Sequence, residues 1–127
     1  MRRGKPATHI QFGEAMAILA AFGLLNGAFK SIARVYEPPL ASRMTALLSD
    51  AVGAEGLIGG QTADLLATDQ QITFEMLERI HRGKTGALFS AAASSGALTA
   101  GASGDSIAAL QTFAKNLGLA FQIIVGG

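Results

Sequence analysis

The chain has no cysteine, which removes disulfides and thiolate chemistry together and fits a cytoplasmic setting. Charge is also scarce, at 15% of residues with a formal net charge of +1, so there is no electrostatic footprint for nucleic acid. The two histidines, His9 and His81, lie in different segments, which argues against a zinc-type site and leaves both as structural residues. No stretch alternates apolar and polar residues with period two, and β-branched residues are sparse, so strands are not expected. Repeats and low-complexity tails are absent as well. What fills the space is apolar: half of the 127 residues, a high share for a small domain that must keep its surface wet.

Helical spacing accounts for nearly all of that material. One long helix is predicted from Gly13 to Arg34 and ends at "YEPPL", where Pro38 and Pro39 suit the first turn of a new helix. A second runs on to Ala67 through Met44, Leu47, Leu48, Val52, Leu57, Ile58 and Leu65. Its "GLIGGQ" stretch reads either as a kink or helix end, or as a place where another backbone or a ligand comes close, since each glycine costs roughly 1 kcal/mol against alanine. A third helix is predicted from Phe74, capped by Thr73, to Thr99. A fourth runs from Asp105 to Val125, with Ile107, Leu110, Ala114, Leu117, Phe121 and Ile124 on one stripe. The expected fold is an all-α bundle of about four long helices, in which frequent Ala and Gly allow close packing. "MRRGK" followed by "AMAILAAFGLLNGAF" mimics a signal sequence, but Thr8, His9, Gln11 and Glu14 intervene. The apolar run from Ala15 to Phe29 stops short of the ~20 residues that span a bilayer, so a core helix is expected there.

"HRGKTG", residues 81 to 86, ends like a nucleotide-binding loop. A Walker loop requires a glycine five positions before its Gly-Lys-Thr, and Glu78 stands there, within a helix rather than after a strand. At 100° per residue, Leu77, Ile80, Lys84, Leu88 and Ala91 fall within about 60° of one another, which puts Lys84 inside the apolar stripe. Such a lysine either snorkels to water or meets an anion. Thr85 beside it offers a hydroxyl. Gln61 and Asp64, three apart, share a helix face. Gln122, in the apolar "LAFQIIV", implies burial with a hydrogen-bonding partner. Arg2, Arg3 and Lys5 form a basic cluster that by itself reads as a solvated tail.

Four blocks, "RRGKPATHIQFGEAMAILA", "GGQTADL", "LERIHRGKTGALFSAA" and "LGLAFQI", together resemble the trans-isoprenyl diphosphate synthases, the polyprenyl synthetase family. They occur in that family's order and span nearly the whole chain, which corresponds to the middle of a synthase. The resemblance implies one partial isoprenoid-synthase domain over residues 1–127 and a prenyl transfer that joins isopentenyl diphosphate to an allylic diphosphate. By the same resemblance, Arg2 looks like the arginine on the allylic diphosphate and Arg3 like the one serving isopentenyl diphosphate. Lys84 and Thr85 match the Lys-Thr pair that contacts the allylic diphosphate. Gln122 matches the glutamine before the second aspartate cluster, and Gln61 and Asp64 match an element near the active site.

In the family, two aspartate clusters hold Mg2+; here they are expected before Arg2 and after Ile123, where this sequence has none. Phe22 also stands where an aspartate is common. The expectation is therefore a truncated synthase, inactive alone and holding no Mg2+ of its own. An alternative is a non-catalytic helical partner or regulatory subunit of a full-length synthase, and a further one is a membrane-attached fragment using Ala15 to Phe29. Either of the first two is expected to self-associate or associate with another chain through apolar helix faces.

Overall fold

The computed structural model of the chain describes residues 4–125. Among these, the extended elements are all helical: α1 (Thr8–Phe12), α2 (Glu14–Val35), α3 (Pro38–Val52), α4 (Leu57–Leu66), α5 (Phe74–His81), a π-helical segment (Arg82–Gly86), α6 (Ala87–Thr99) and α7 (Gly104–Val125). They fall into two compact units, Met1–Ala41 and Ser42–Gly127.

In the first unit α1 packs on the start of α2, and none of the 22 residues of α2 is buried. Met16, Ile18, Leu19, Phe22 and Leu24 all face solvent. The helix is longer than the apolar run that suggests it, because Asn26, Lys30 and Arg34 stay within its hydrogen-bonding register. Both α2 and α7 are long and apolar enough to cross a membrane by length and composition.

The second unit carries the core. Thr73 caps α5 by accepting a hydrogen bond from the Met76 N–H at 3.1 Å. The helix expected from Phe74 to Thr99 is divided at "RGKTG", where the Ala87 N–H donates to the Arg82 carbonyl five residues back. The helix expected from Pro38 to Ala67 is likewise broken, between Val52 and Leu57. That break turns α4 so that it crosses the π-helical segment. A Cβ at Gly60 would fall on the Lys84 nitrogen and lie 2.8 Å from the Gly83 carbonyl carbon, so at this glycine the two backbones touch directly. On the other side α7 does the same, since a Cβ at Gly118 would lie 2.9 Å from Gly86 Cα.

α6 and α7 form a short hairpin. Gly101 at φ 72° and Ala102 close α6 by donating to Leu98 (3.1 Å) and Ala97 (3.0 Å), a Schellman arrangement. Ser103 then caps α7, accepting from the Ser106 N–H at 3.2 Å. The helices meet through Ala91, Ala97, Ala114 and a tilted Phe89–Phe121 pair with ring centroids 5.8 Å apart. Small residues do most of this packing, so the larger members of the α7 stripe stay outside: Leu117 is 49% exposed and Ile124 82% exposed.

The buried apolar residues are Met44, Ala51, Ile80, Ala91, Ala97 and Ala114, four of them alanines. At about 25 cal/mol per Å², so little side-chain area supplies a weak hydrophobic term. We therefore expect the isolated chain to associate; size-exclusion chromatography should show it eluting well above 13.0 kDa, with a broad, weakly cooperative melt. The helix crossings give a second prediction. Gly60→Val and Gly118→Val should each destabilise the fold by roughly 1–3 kcal/mol through steric overlap. Gly96→Ala, where a Cβ meets nothing within 4 Å, should be neutral or stabilising. Urea titration followed by far-UV circular dichroism separates the two classes.

Candidate functional site

The π-helical segment presents consecutive side chains to two different neighbours. The Lys84 ammonium reaches α4, donating to Asp64 Oδ2 at 2.7 Å. Thr85 faces α7, where Gln122 Nε2 donates to its hydroxyl. Successive helical residues are turned by about 100° from one another, so residues 84 and 85 face different neighbours. The glycine contacts bring α4 and α7 close enough for these short connections to form.

The lysine that sequence placed inside an apolar stripe has met an anion, the Asp64 carboxylate. Neither partner is deeply buried: the Lys84 side chain is 31% exposed and that of Asp64 41% exposed. Of the other residues predicted on the same stripe, Ile80 and Ala91 are buried, whereas Leu77 and Leu88 are exposed. Gln122 is half-buried with the partner its position implied. Gln61 lies one turn before Asp64 on α4, exposed and without a side-chain hydrogen bond among the described residues. Asp64, Lys84, Thr85 and Gln122 are thus brought together, with Gln61 at the edge. Arg2 and Arg3 lie outside the described residues.

Among the described residues no three His, Asp or Glu side chains converge as a metal site would require. Asp64 is a single carboxylate already engaged by Lys84, whereas Mg2+ seeks near-octahedral oxygen coordination. These residues therefore do not constitute a magnesium site. What they offer an incoming anion is one ammonium and one hydroxyl from the π-helical segment and one amide N–H from α7.

Two further features escaped the sequence reading. His81, just before the π-helical segment, is buried with its Nδ1 unpartnered among the described residues, and nothing in its spacing signals this. A cavity of about 630 Å³ lies within the second unit, lined by Ala51, Gly60, Ile80 and Ala91 together with Arg79 and Lys115. The neighbouring Arg82 binds Glu78 Oε1 through Nε (3.1 Å) and Nη2 (2.6 Å), an i,i+4 pair legible in the sequence.

Comparison with known proteins bears on the family and the fold. The polyprenyl synthetase family model matches residues 1–124. The farnesyl diphosphate synthase of Geobacillus stearothermophilus is 44% identical over 127 residues, covering 97% of this chain and 43% of that protein. A heterodimeric geranylgeranyl pyrophosphate synthase large subunit of Arabidopsis thaliana is 40% identical, covering 98% of this chain and 36% of that protein. Among solved structures, the Helicobacter pylori geranyltransferase complexed with magnesium and isoprenyl diphosphate superposes with a TM-score of 0.90 at 28% identity, over 97% of this chain and 41% of that one. The chain spans less than half the length of these relatives. By its sequence match and its helical fold alike, the chain belongs to the polyprenyl synthetase family.

Proposed function

We propose that Lys84, Thr85 and Gln122, with Asp64 and Gln61 beside them, form one wall of a prenyltransferase site that receives the diphosphate of an allylic substrate for joining to isopentenyl diphosphate. The observation that supports this most is the pair of side-chain bonds, Lys84 to Asp64 and Gln122 to Thr85, which gather three segments around one π turn. In such a reaction the carbon–oxygen bond to the diphosphate breaks and negative charge accumulates on the departing oxygens. A fixed ammonium with a hydroxyl and an amide N–H lowers the cost of that charge, because the dipoles are oriented before the bond breaks. By family resemblance Arg2 and Arg3 are proposed to serve the allylic and isopentenyl diphosphates respectively. Mg2+, when bound in an intact site, adds charge neutralisation at the leaving group.

With no carboxylate cluster among the described residues, the chain alone is proposed to bind diphosphate weakly and to transfer no prenyl group. Its place of action is proposed to be the cytoplasm, and the chain as a whole is proposed to be one partial synthase domain. Isothermal titration with inorganic pyrophosphate should detect binding that Lys84→Gln weakens roughly tenfold, the scale of a hydrogen bond to a charged group. Incubation with isopentenyl and dimethylallyl diphosphates and Mg2+ should yield no longer prenyl diphosphate. Product formation by the purified chain would overturn the inactive reading.

A second reading has its own support. The unburied α2 presents Met16, Leu19 and Phe22 to solvent, and one relative is named as a subunit of a heterodimeric synthase. In this reading the chain is a non-catalytic partner of a full-length synthase. Co-expression with a full-length family member should then give a complex that Leu19→Glu or Phe22→Glu disrupts. Separate elution of the two wild-type chains would remove this reading.

A further inference from the structure

The Lys84–Asp64 pair poses a question that the proposed function leaves open, because the ammonium meant for a diphosphate is already occupied. It bonds Asp64 Oδ2 at 2.7 Å, across the α4 crossing and 20 positions away in sequence. No other ion pair among the described residues links separate helices; Arg82–Glu78 lies within one helical run. The contact is held in place from behind, since Gly60 of α4 rests against the Lys84 backbone nitrogen itself. Asp64 follows Gly60 by one helical turn, so its carboxylate overhangs the segment that α4 touches.

We infer that Asp64 acts as an exchangeable latch on Lys84: it holds the ammonium in place when the site is empty and is displaced when a diphosphate binds. This inference rests on the proposed role of Lys84 as a diphosphate ligand. Three physical points carry it. A flexible lysine stem would otherwise sample many rotamers, and an opposed carboxylate removes most of that freedom before any ligand arrives. The pair is about one-third to two-fifths exposed, so both groups keep access to water and the bond is weak enough to exchange. A diphosphate offers more negative charge than one carboxylate and two or more acceptor oxygens, and it wins the competition at modest concentration. Asp64 therefore positions the lysine while reducing the affinity for anions in general, which makes it a positioning residue rather than a catalytic one.

The latch makes an unusual prediction, since removing a site residue should tighten binding. In titrations of the full chain with inorganic pyrophosphate in metal-free buffer at low salt, Asp64→Asn should bind about three- to fivefold more tightly than the parent, the scale of an exposed ion pair. Asp64→Glu, which retains the charge, should change affinity by less than about twofold. Asp105→Asn, in the first turn of α7 and at the opposite end of that helix from Gln122, makes the same change of net charge and serves as control, with no change expected.

The variants fail in distinguishable ways. Unchanged affinity in Lys84→Gln would overturn the assignment of Lys84 to diphosphate and, with it, the proposed function. Weakened binding in Lys84→Gln together with unchanged or weaker binding in Asp64→Asn would leave that function standing and overturn the latch. Equal tightening in Asp105→Asn and Asp64→Asn would overturn the latch in favour of bulk charge. Far-UV circular dichroism of each variant checks that the helices persist, which the exposed position of Asp64 favours.

Discussion

Direct backbone contact on both sides of one short segment governs the second unit. Gly60 on α4 and Gly118 on α7 press against Gly83 and Gly86, leaving no volume for a side chain at either crossing. Interaxial distance sets which side chains can meet, and glycine at a crossing minimises it. Lys84 and Thr85 lie between those two contacts, so their neighbours are decided by backbone geometry before any polar bond forms. The ion pair to Asp64 and the bond from Gln122 are consequences of this arrangement, and each alone is too exposed to impose it.

The same reliance on small residues explains why the core is thin. Alanines and glycines bring helices together but bury little apolar area apiece. The large apolar residues that gave the chain its composition lie on outer faces, along α2 and on the far side of α7. The relatives reported above are more than twice as long as this chain, and apolar surface of this extent is available for association.

Much of this was legible in the sequence for identifiable reasons. The Thr73 cap, the long α2 and α7, and the all-helical class follow from local rules that act within a few residues. The close approach at "GLIGGQ" was one of two open readings, and the glycines did mark it. The π-helical segment was not legible, because the apolar period on either side continues as though the helix were regular. Only the crossings by α4 and α7 account for the extra residue, and these are tertiary. For the same reason Lys84 was recognisable as a lysine that either snorkels to water or meets an anion, while the choice and the anion's identity depended on where α4 turns after Val52. Thr85 and Gln122, 37 positions apart, joined only once α7 was placed.

The turn between α6 and α7 makes these two helices differ in kind from the rest. Its Schellman closure and its serine cap satisfy both helix ends within a handful of residues, so the hairpin owes its geometry to nothing outside itself. The entropy lost on closing a loop rises with the chain enclosed, and the connection between α6 and α7 is shorter than the one between α4 and α5. Within the second unit it is therefore a cheap contact to close, whereas bringing α4 to the π-helical segment closes a longer stretch of chain. A nascent chain has to emerge through α7 before Gln122 exists to meet Thr85. The cluster around the π turn is in this sense completed only once α7 is in place, however early its lysine is synthesised.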